Sequence, residues 1–161
     1  MTTVVIFILV ILATIVIVEV LRKKKEGLAK YHYGRKDFFM SRAEHGCYDA
    51  LLAAVGDKYH IFPQVHLPSV VNCRMHGQKG NGAFWHVSQK SLDFVLCDKA
   101  HISPKLAIEL DDKTHEQPKR HERDIEVERI LKESGLPLLR LENHGHFNPH
   151  ELAERITAIL K

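Results

Sequence analysis

The chain is poor in cysteine. It has three among 161 residues, Cys47, Cys73 and Cys97, and no two of them form a CxxC pair. This argues against a zinc ribbon or a disulfide framework and favours packing roles for the thiols. The chain also has little excess of either charge, since 23 basic and 20 acidic residues leave a formal net charge of +3. So mild an excess does not by itself indicate a nucleic-acid partner.

Polar residues are almost absent from the first part of the chain. Thr14 and Glu19 are the only ones between positions 4 and 20. The apolar run at residues 2–21 just reaches the roughly 20 residues that a membrane-spanning helix needs. A buried core helix is the alternative, but apolar residues on every side of the helix argue against it. The sequence therefore predicts one transmembrane anchor, which contacts the lipid bilayer through residues 2–21.

The residues that flank this run predict its orientation. No basic residue precedes it, and residues 22–25 read RKKK. A cleaved signal peptide would have the opposite arrangement, and the positive-inside rule places the C-terminal part in the cytoplasm. We therefore expect a single-pass protein of the inner, cytoplasmic membrane, with an anchor at 1–21 and a domain at 40–161. The basic linker between them, 22–39, either contacts anionic headgroups or is a solvated connector.

Hydrophobic periodicity predicts the order helix, strand, strand, strand, helix, strand, helix in the C-terminal domain. This is an α/β fold with a mixed sheet flanked by helices. The first helix is expected at 41–55 and the helix before the last strand at 122–134. Residues 70–89 are expected to be irregular. Their basic and aromatic side chains either grip phosphate and stack on a base, or belong to an ordinary loop with Trp85 against the core.

Three acids on the apolar strands of the predicted hairpin at residues 92–115 are candidates for a site: Asp93, Glu109 and Asp111. Side chains alternate along a strand, so Leu92, Phe94 and Leu96 are expected on one face and Asp93 on the other. In the next strand Glu109 and Asp111 alternate with leucine and isoleucine. Carboxylates at half-buried positions need a partner, and a hard divalent cation such as Mg²⁺ is the obvious one.

Glu44 adds a fourth acid from the first helix. Ser41 and Glu44 have the spacing of a capping box, which is the simpler interpretation. On a helical wheel, however, Glu44 falls within the apolar arc of this helix, where a cap needs no carboxylate. A role in a site is therefore favoured for Glu44.

These residues resemble the PD-(D/E)XK nuclease superfamily, and most closely a bacterial branch related to very-short-patch-repair endonucleases that includes domains behind membrane anchors. The resemblance is carried by Glu44, by DFV at Asp93, by AIELDD around Glu109, by His115, and by the later stretch SGLPLLRL. It covers roughly residues 38–141. It implies a restriction-endonuclease-like αβββαβ core, the same order that periodicity predicts.

The resemblance also implies roles for individual residues. Asp93 and Glu109 would be the principal ligands of Mg²⁺ or Mn²⁺, with Asp111 as a further metal ligand, and Glu44 would support the metal or its waters. Asp111 stands where the superfamily usually has a lysine that helps to position or activate the nucleophile. Related branches have an acid here and a histidine shortly after, so Asp111 and His115 are expected to share that role.

Two cations are candidates for substrate binding. Lys90 is either a relocated lysine, a phosphate contact or a solvated side chain. Arg129 matches a polar position of the family, and its alternative is a salt bridge with a nearby acid such as Asp124 or Glu126. Arg140 lies within an apolar strand and must find a partner there, so it is expected to brace the acids.

The resemblance implies a membrane-tethered, divalent-metal-dependent phosphodiester hydrolase. The expected substrate is DNA in preference to RNA. Asp111 at the lysine position motivates an alternative, a nuclease fold that binds nucleic acid but has lost its chemistry. A membrane-associated scaffold is a third hypothesis, which leaves the acids unexplained.

Overall fold

The computed structural model describes residues 2–28, 31–73, 77, 80–111 and 118–161. Helix α1 spans Thr2–Leu28. Its segment Thr2–Lys23 has a mean hydropathy of 3.3, is nowhere buried, and is long and apolar enough to cross a membrane. A soluble core helix would be buried, whereas a signal sequence near an N-terminus would share these properties. Contacts divide the chain into two units, Met1–Phe39 and Met40–Lys161.

The second unit contains the sheet and the remaining helices. Its elements are α2 (Arg42–Val55), β1 (Tyr59–His66), a 3-10 turn (Leu67–Ser69), α3 (Gly80–Val87), β2 (Ser91–Asp98), β3 (Pro104–Asp111), α4 (Pro118–Ser134), β4 (Leu138–Glu142) and α5 (Pro149–Ile159). The predicted order of helices and strands is confirmed, with one addition. The region expected to be irregular contains α3, which is short and has glycine at its first and third positions, so its helical periodicity is weak.

The four strands form one mixed sheet in the order β1-β2-β3-β4. β1 with β2 and β2 with β3 pair antiparallel, and β3 with β4 pair parallel. A parallel pair needs a crossover, which α4 provides, and it begins at Pro118, earlier than the predicted residue 122. Proline suits the first turn of a helix because the missing N–H would have no helical partner there.

Both faces of the sheet are covered. On one face, here called the α2 face, a buried cluster joins α2 and α5 to residues such as Phe94 and Ile108. On the other, the α4 face, a second cluster joins α3, α4 and the 3-10 turn to residues such as Val95 and Ala107. A sheet covered on both faces explains why its central strands are apolar almost without interruption.

The predicted alternation of β2 is wrong at one residue. Phe94 and Leu96 lie on the α2 face as a pair, but Leu92 lies on the α4 face. The change of face occurs at Asp93, which stands opposite Gln64 between the register pairs Pro63↔Phe94 and Val65↔Leu92. Gln64 has φ 53, in the left-handed region, so the local twist of β1 accompanies the change in β2.

The predicted alternation of β3 is confirmed. Leu106 and Ile108 are buried on the α2 face and Leu110 packs against the same cluster, whereas Ala107 is buried on the α4 face. Glu109 follows on the α4 side at half-buried depth. The end of β3 therefore carries its acid towards α4.

Candidate functional site

Glu44 is held by both of its carboxylate oxygens. The backbone N–H of Ser41 donates to Oε2 at 2.6 Å, and the Glu44 N–H donates to the Ser41 hydroxyl at 3.3 Å, which completes a capping box. The Gln64 side-chain amide donates to the other oxygen, Oε1, at 2.8 Å. The capping-box interpretation of Glu44 is thus confirmed, and its second oxygen contacts Gln64 of β1.

Asp93 lies where β2 and β3 part. Their last register pair on this side is Phe94↔Ile108, and beyond it the Leu110 N–H donates to Asp93 Oδ2 at 2.8 Å. Burial raises the pKa of Asp93 most strongly, and the charge of Glu44 raises it further, while the Leu110 hydrogen bond opposes them. Asp93 therefore interacts electrostatically with Glu44 of α2.

Glu109 is the acid of β3 that interacts electrostatically with Asp93. Burial first, and then the charge of Asp93, raise the pKa of Glu109 to about 8. The neighbouring Glu109 carboxyl in turn lowers the pKa of Asp93. Two acids in this relation retain a proton near neutral pH unless a cation neutralises them.

Asp111 faces a different partner. Arg140 Nε donates to Asp111 Oδ2 at 2.9 Å and Arg140 Nη2 to Oδ1 at 2.7 Å. Arg140 Nη2 also lies 3.6 Å from Asp124 Oδ2, and Arg140 stands opposite Glu109 in the β3–β4 register. Arg140 braces the acids as expected, and both oxygens of Asp111 are already occupied by a cation.

Arg123 supplies a second cation near the pair. Its charge, with that of Arg140, favours the ionised form of Glu109, and it acts on Asp93 as well. Arg123 is exposed, and within the described ranges no ion pair or hydrogen bond engages its side chain. It is thus available to an anion that approaches Asp93 and Glu109.

The donor atoms fit a magnesium-type cation in part. Among the residues that the structure describes, no three His, Cys, Asp or Glu side chains form a metal-binding group. Mg²⁺, however, keeps several waters and is commonly held by one or two carboxylates. Asp93 and Glu109 meet that requirement, because a divalent cation would relieve both their burial and their repulsion, whereas Asp111 is bound to Arg140 and does not.

Comparison with protein families gives one match. The profile of the family described as protein of unknown function (DUF2726) matches residues 36–159. The chain belongs to the DUF2726 family. No curated protein and no solved structure matches the chain. The DUF2726 match includes every residue of the site described above and ends at the last residue of α5.

The two predicted substrate cations of this DUF2726 domain lie on the α3–α4 side. Arg129 donates to both oxygens of Glu126, at 2.9 and 2.7 Å, and to Glu133, so the salt-bridge alternative is confirmed for Glu126. Lys90 Nζ donates to the His86 carbonyl at 3.0 Å, at the C-terminal end of α3. Neither Arg129 nor Lys90 contacts Asp93 or Glu109 through these hydrogen bonds. His115 lies outside the described residues.

Two residues of the site escaped the sequence analysis. Gln64 follows a proline in a strand, which signals a bulge but not a polar side chain directed at Glu44. Arg123 is one cation among several in a highly charged helix, and only the position of α4 shows that it lies near Asp93. For Arg123 the sequence contained no distinguishing signal.

Proposed function

We propose that this DUF2726 protein is a membrane-tethered, divalent-metal-dependent nuclease that acts on DNA at the cytoplasmic face of the inner membrane. The observation that carries the proposal is the meeting of Asp93 and Glu109 where β2 and β3 part. Both half-buried carboxyl groups have a raised pKa, chiefly because of burial, and a bound cation would compensate that cost. Glu44 stands beside them and two arginines flank them.

In this proposal some residues bind the metal and others position the groups around it. Asp93 and Glu109 would hold Mg²⁺ or Mn²⁺, with Glu44 supporting the metal or its waters. The ion would lower the pKa of a bound water and stabilise charge on the phosphodiester in an in-line displacement. Arg123 faces the approaching phosphate, and Arg140 fixes the end of β3 through Asp111.

A nucleic-acid substrate is supported by exposed aromatic side chains on α3, which directly precedes β2 in the chain. Trp85 is 72% exposed and Phe84 43% exposed, on a helix that ends at Val87, just before β2 begins at Ser91. The alternative that places Trp85 against the core is therefore wrong. Exposed aromatic rings offer stacking surfaces to bases, and the exposed Arg123 offers a phosphate contact.

The membrane part of the proposal depends on α1. Its apolar segment has the length and composition of a membrane span, and the basic residues directly after it favour a cytoplasmic position for the domain. A cysteine-accessibility assay on whole cells tests the side directly. Labelling of an added C-terminal cysteine by a membrane-impermeant thiol reagent in intact cells would contradict this orientation.

Cleavage by the full-length protein in lipid nanodiscs tests the enzymatic part. We expect nicking or cutting of a fluorescent DNA duplex with Mg²⁺ or Mn²⁺ and none with EDTA. Asp93→Asn and Glu109→Gln are expected to lose at least 100-fold in rate, because each removes a metal ligand. Asp49→Asn is the matched control, since Asp49 is an exposed acid on α2 that pairs with His45.

The controls define failure. Equal DNA cleavage by wild type and Glu109→Gln would remove the proposal, since the activity would then come from a contaminant or another site. An RNA duplex and a single strand, tested in parallel, decide the class of nucleic acid. A preference for RNA would correct the substrate without changing the proposed chemistry.

A second candidate is a nuclease fold that binds nucleic acid without cleaving it. It is favoured by Asp111, which occupies the usual lysine position and is held by Arg140 through both oxygens. This candidate predicts salt-dependent DNA binding with no cleavage and no saturable Mn²⁺ binding. Calorimetry with Mn²⁺ separates the two, because binding that is lost in Asp93→Ala supports the enzyme.

A further inference from the structure

β1 contains a residue in an unfavourable backbone conformation. Gln64 has φ 53, and among the residues that the structure describes the only other non-glycine residue with positive φ is Ile102, at φ 57. Such conformations persist where the surrounding structure enforces them, and they concentrate at functional sites. Gln64 also lies inside a strand, whereas Ile102 lies in the β2–β3 turn.

The strain coincides with a change of face in two strands at once. Ile61 lies on the α2 face of β1, but Val65, which a regular strand would place on the same face, packs on the α4 face. The same change occurs in β2 between Phe94 and Leu92, around Asp93. Gln64 and Asp93 are therefore the two residues about which both strands turn.

The Gln64 side chain makes one specific contact. Its amide donates to Glu44 Oε1 at 2.8 Å in a half-buried position. The other oxygen of Glu44 is fixed by the Ser41 N–H. With one oxygen held from α2 and the other from β1, the carboxylate has a defined orientation beside Asp93.

We propose that Gln64 is a positioning residue that fixes the Glu44 carboxylate beside Asp93, so that the metal pair Asp93 and Glu109 is supported from the α2 face. This inference rests on the proposed nuclease function. Glycine would adopt the same backbone conformation without strain. The Gln64 side chain is therefore proposed to act through its amide, which donates to Glu44, and the positive φ of the backbone directs that amide towards Glu44.

The first test is Gln64→Gly in the full-length protein in nanodiscs, with Mn²⁺ affinity measured by electron paramagnetic resonance. We expect the affinity to fall about 10- to 100-fold, the usual effect of losing a group that orients a metal ligand. The thermal midpoint is expected to stay the same or rise, because glycine relieves the strain at φ 53. A purely structural role for Gln64 predicts lower stability and unchanged Mn²⁺ affinity.

Ile102→Gly is the matched control, because it relieves a similar strain in an exposed turn. It is expected to keep the Mn²⁺ affinity of the wild type. Gln64→Asn is a second variant that tolerates positive φ but has a shorter side chain, so it should lose affinity as the glycine variant does. Agreement between these two variants excludes a loosened strand as the cause.

A double-mutant cycle tests whether Gln64 acts through Glu44. Glu44→Gln keeps the capping box but removes the charge. In that background Gln64→Gly is expected to change Mn²⁺ affinity by less than about twofold, because coupled residues are not additive. A full additional loss would overturn the proposed route through Glu44.

The outcomes separate this inference from the proposed function. Wild-type Mn²⁺ affinity in Gln64→Gly would overturn the role of Gln64 and leave the nuclease proposal intact. Absence of saturable Mn²⁺ binding in the wild type would overturn the metal site, and this inference with it. Weaker binding in both glycine variants would assign the effect to backbone loosening and would also overturn the inference.

Discussion

Replacing Glu109 by glutamine is expected to stabilise the metal-free protein at alkaline pH. Burial and the neighbouring Asp93 raise the pKa of Glu109 from its ordinary value of 4.5 to about 8. The folded state therefore binds this proton more tightly than the unfolded state does. Stability from the neutral carboxyl is fully present below about pH 4.5 and is lost as the pH rises through about 8.

The size of the effect follows from the same two values. Each unit of difference between the two pKa values corresponds to about 1.4 kcal/mol. Full ionisation of Glu109 therefore disfavours the folded state by about 4 to 5 kcal/mol. Glutamine cannot ionise and escapes this cost. For a domain of this size 1 kcal/mol moves the thermal midpoint by about 4 °C, so a rise of about 16 to 20 °C is expected near pH 9.

Thermal unfolding of both proteins between pH 5 and pH 9 in EDTA is the assay. The two midpoints should nearly coincide at pH 5 and separate steadily above it. Glu128→Gln, an exposed residue of α4, is the control and should follow the wild type at every pH. Addition of Mg²⁺ should then stabilise the wild type and not Glu109→Gln, because only the wild type has the carboxylate.

Two results would refute this reasoning. Parallel pH profiles for wild type and Glu109→Gln would show that Glu109 ionises without cost and that it is not coupled to Asp93. Equal stabilisation of both proteins by Mg²⁺ would show that the ion binds elsewhere. Either result would remove the main physical argument for a metal at this position.

Three further predictions concern other parts of the domain. Gly135→Ala should destabilise by about 1 kcal/mol because Gly135 has φ +72, whereas Gly46→Ala, within α2 and with open space around a new Cβ, should stabilise by up to about 1 kcal/mol. Burial and then Asp93 raise the pKa of Cys47 to about 12, so its thiol should resist alkylation at pH 8 until the domain unfolds. Arg123→Ala should weaken DNA binding and reduce the salt dependence by about one ion, and Lys132→Ala should not.

Each of these has a measurement and a contrary outcome. Denaturant unfolding measures the stability of the two glycine-to-alanine variants. A loss of stability in Gly46→Ala would show that the space around residue 46 of α2 does not accept a Cβ. Mass spectrometry follows alkylation, and rapid modification of Cys47 in the native protein would show that the core around it opens. Fluorescence anisotropy at several salt concentrations measures binding, and an unchanged slope for Arg123→Ala would exclude a phosphate contact.

The fold was largely predictable because the strands alternate and the helices have recognisable ends. Ser41 caps α2 as its spacing to Glu44 predicts, and Asn148 caps α5. α3 was not predictable, because a short glycine-containing segment has no clear period. The face change at Leu92 was missed as well, since it depends on the conformation of Gln64 on the neighbouring strand.

The candidate site was predictable where an acid interrupts an apolar pattern. Asp93, Glu109 and Glu44 were found in this way, and their pKa shifts or contacts link them. The partner of Asp111 was not predictable, because a carboxylate on a strand does not reveal whether it binds a metal ion or an arginine. That depends on the parallel register that brings Arg140 beside Asp111.

Glu44 is subject to two separate demands at one position. The start of α2 accepts glutamate or glutamine, since either side chain completes the capping box with Ser41. In the proposed function, support of a metal requires the charge and therefore accepts glutamate alone. The proposal therefore predicts that copies of this domain that bind a metal keep glutamate here, whereas copies without that role can carry glutamine without losing the helix.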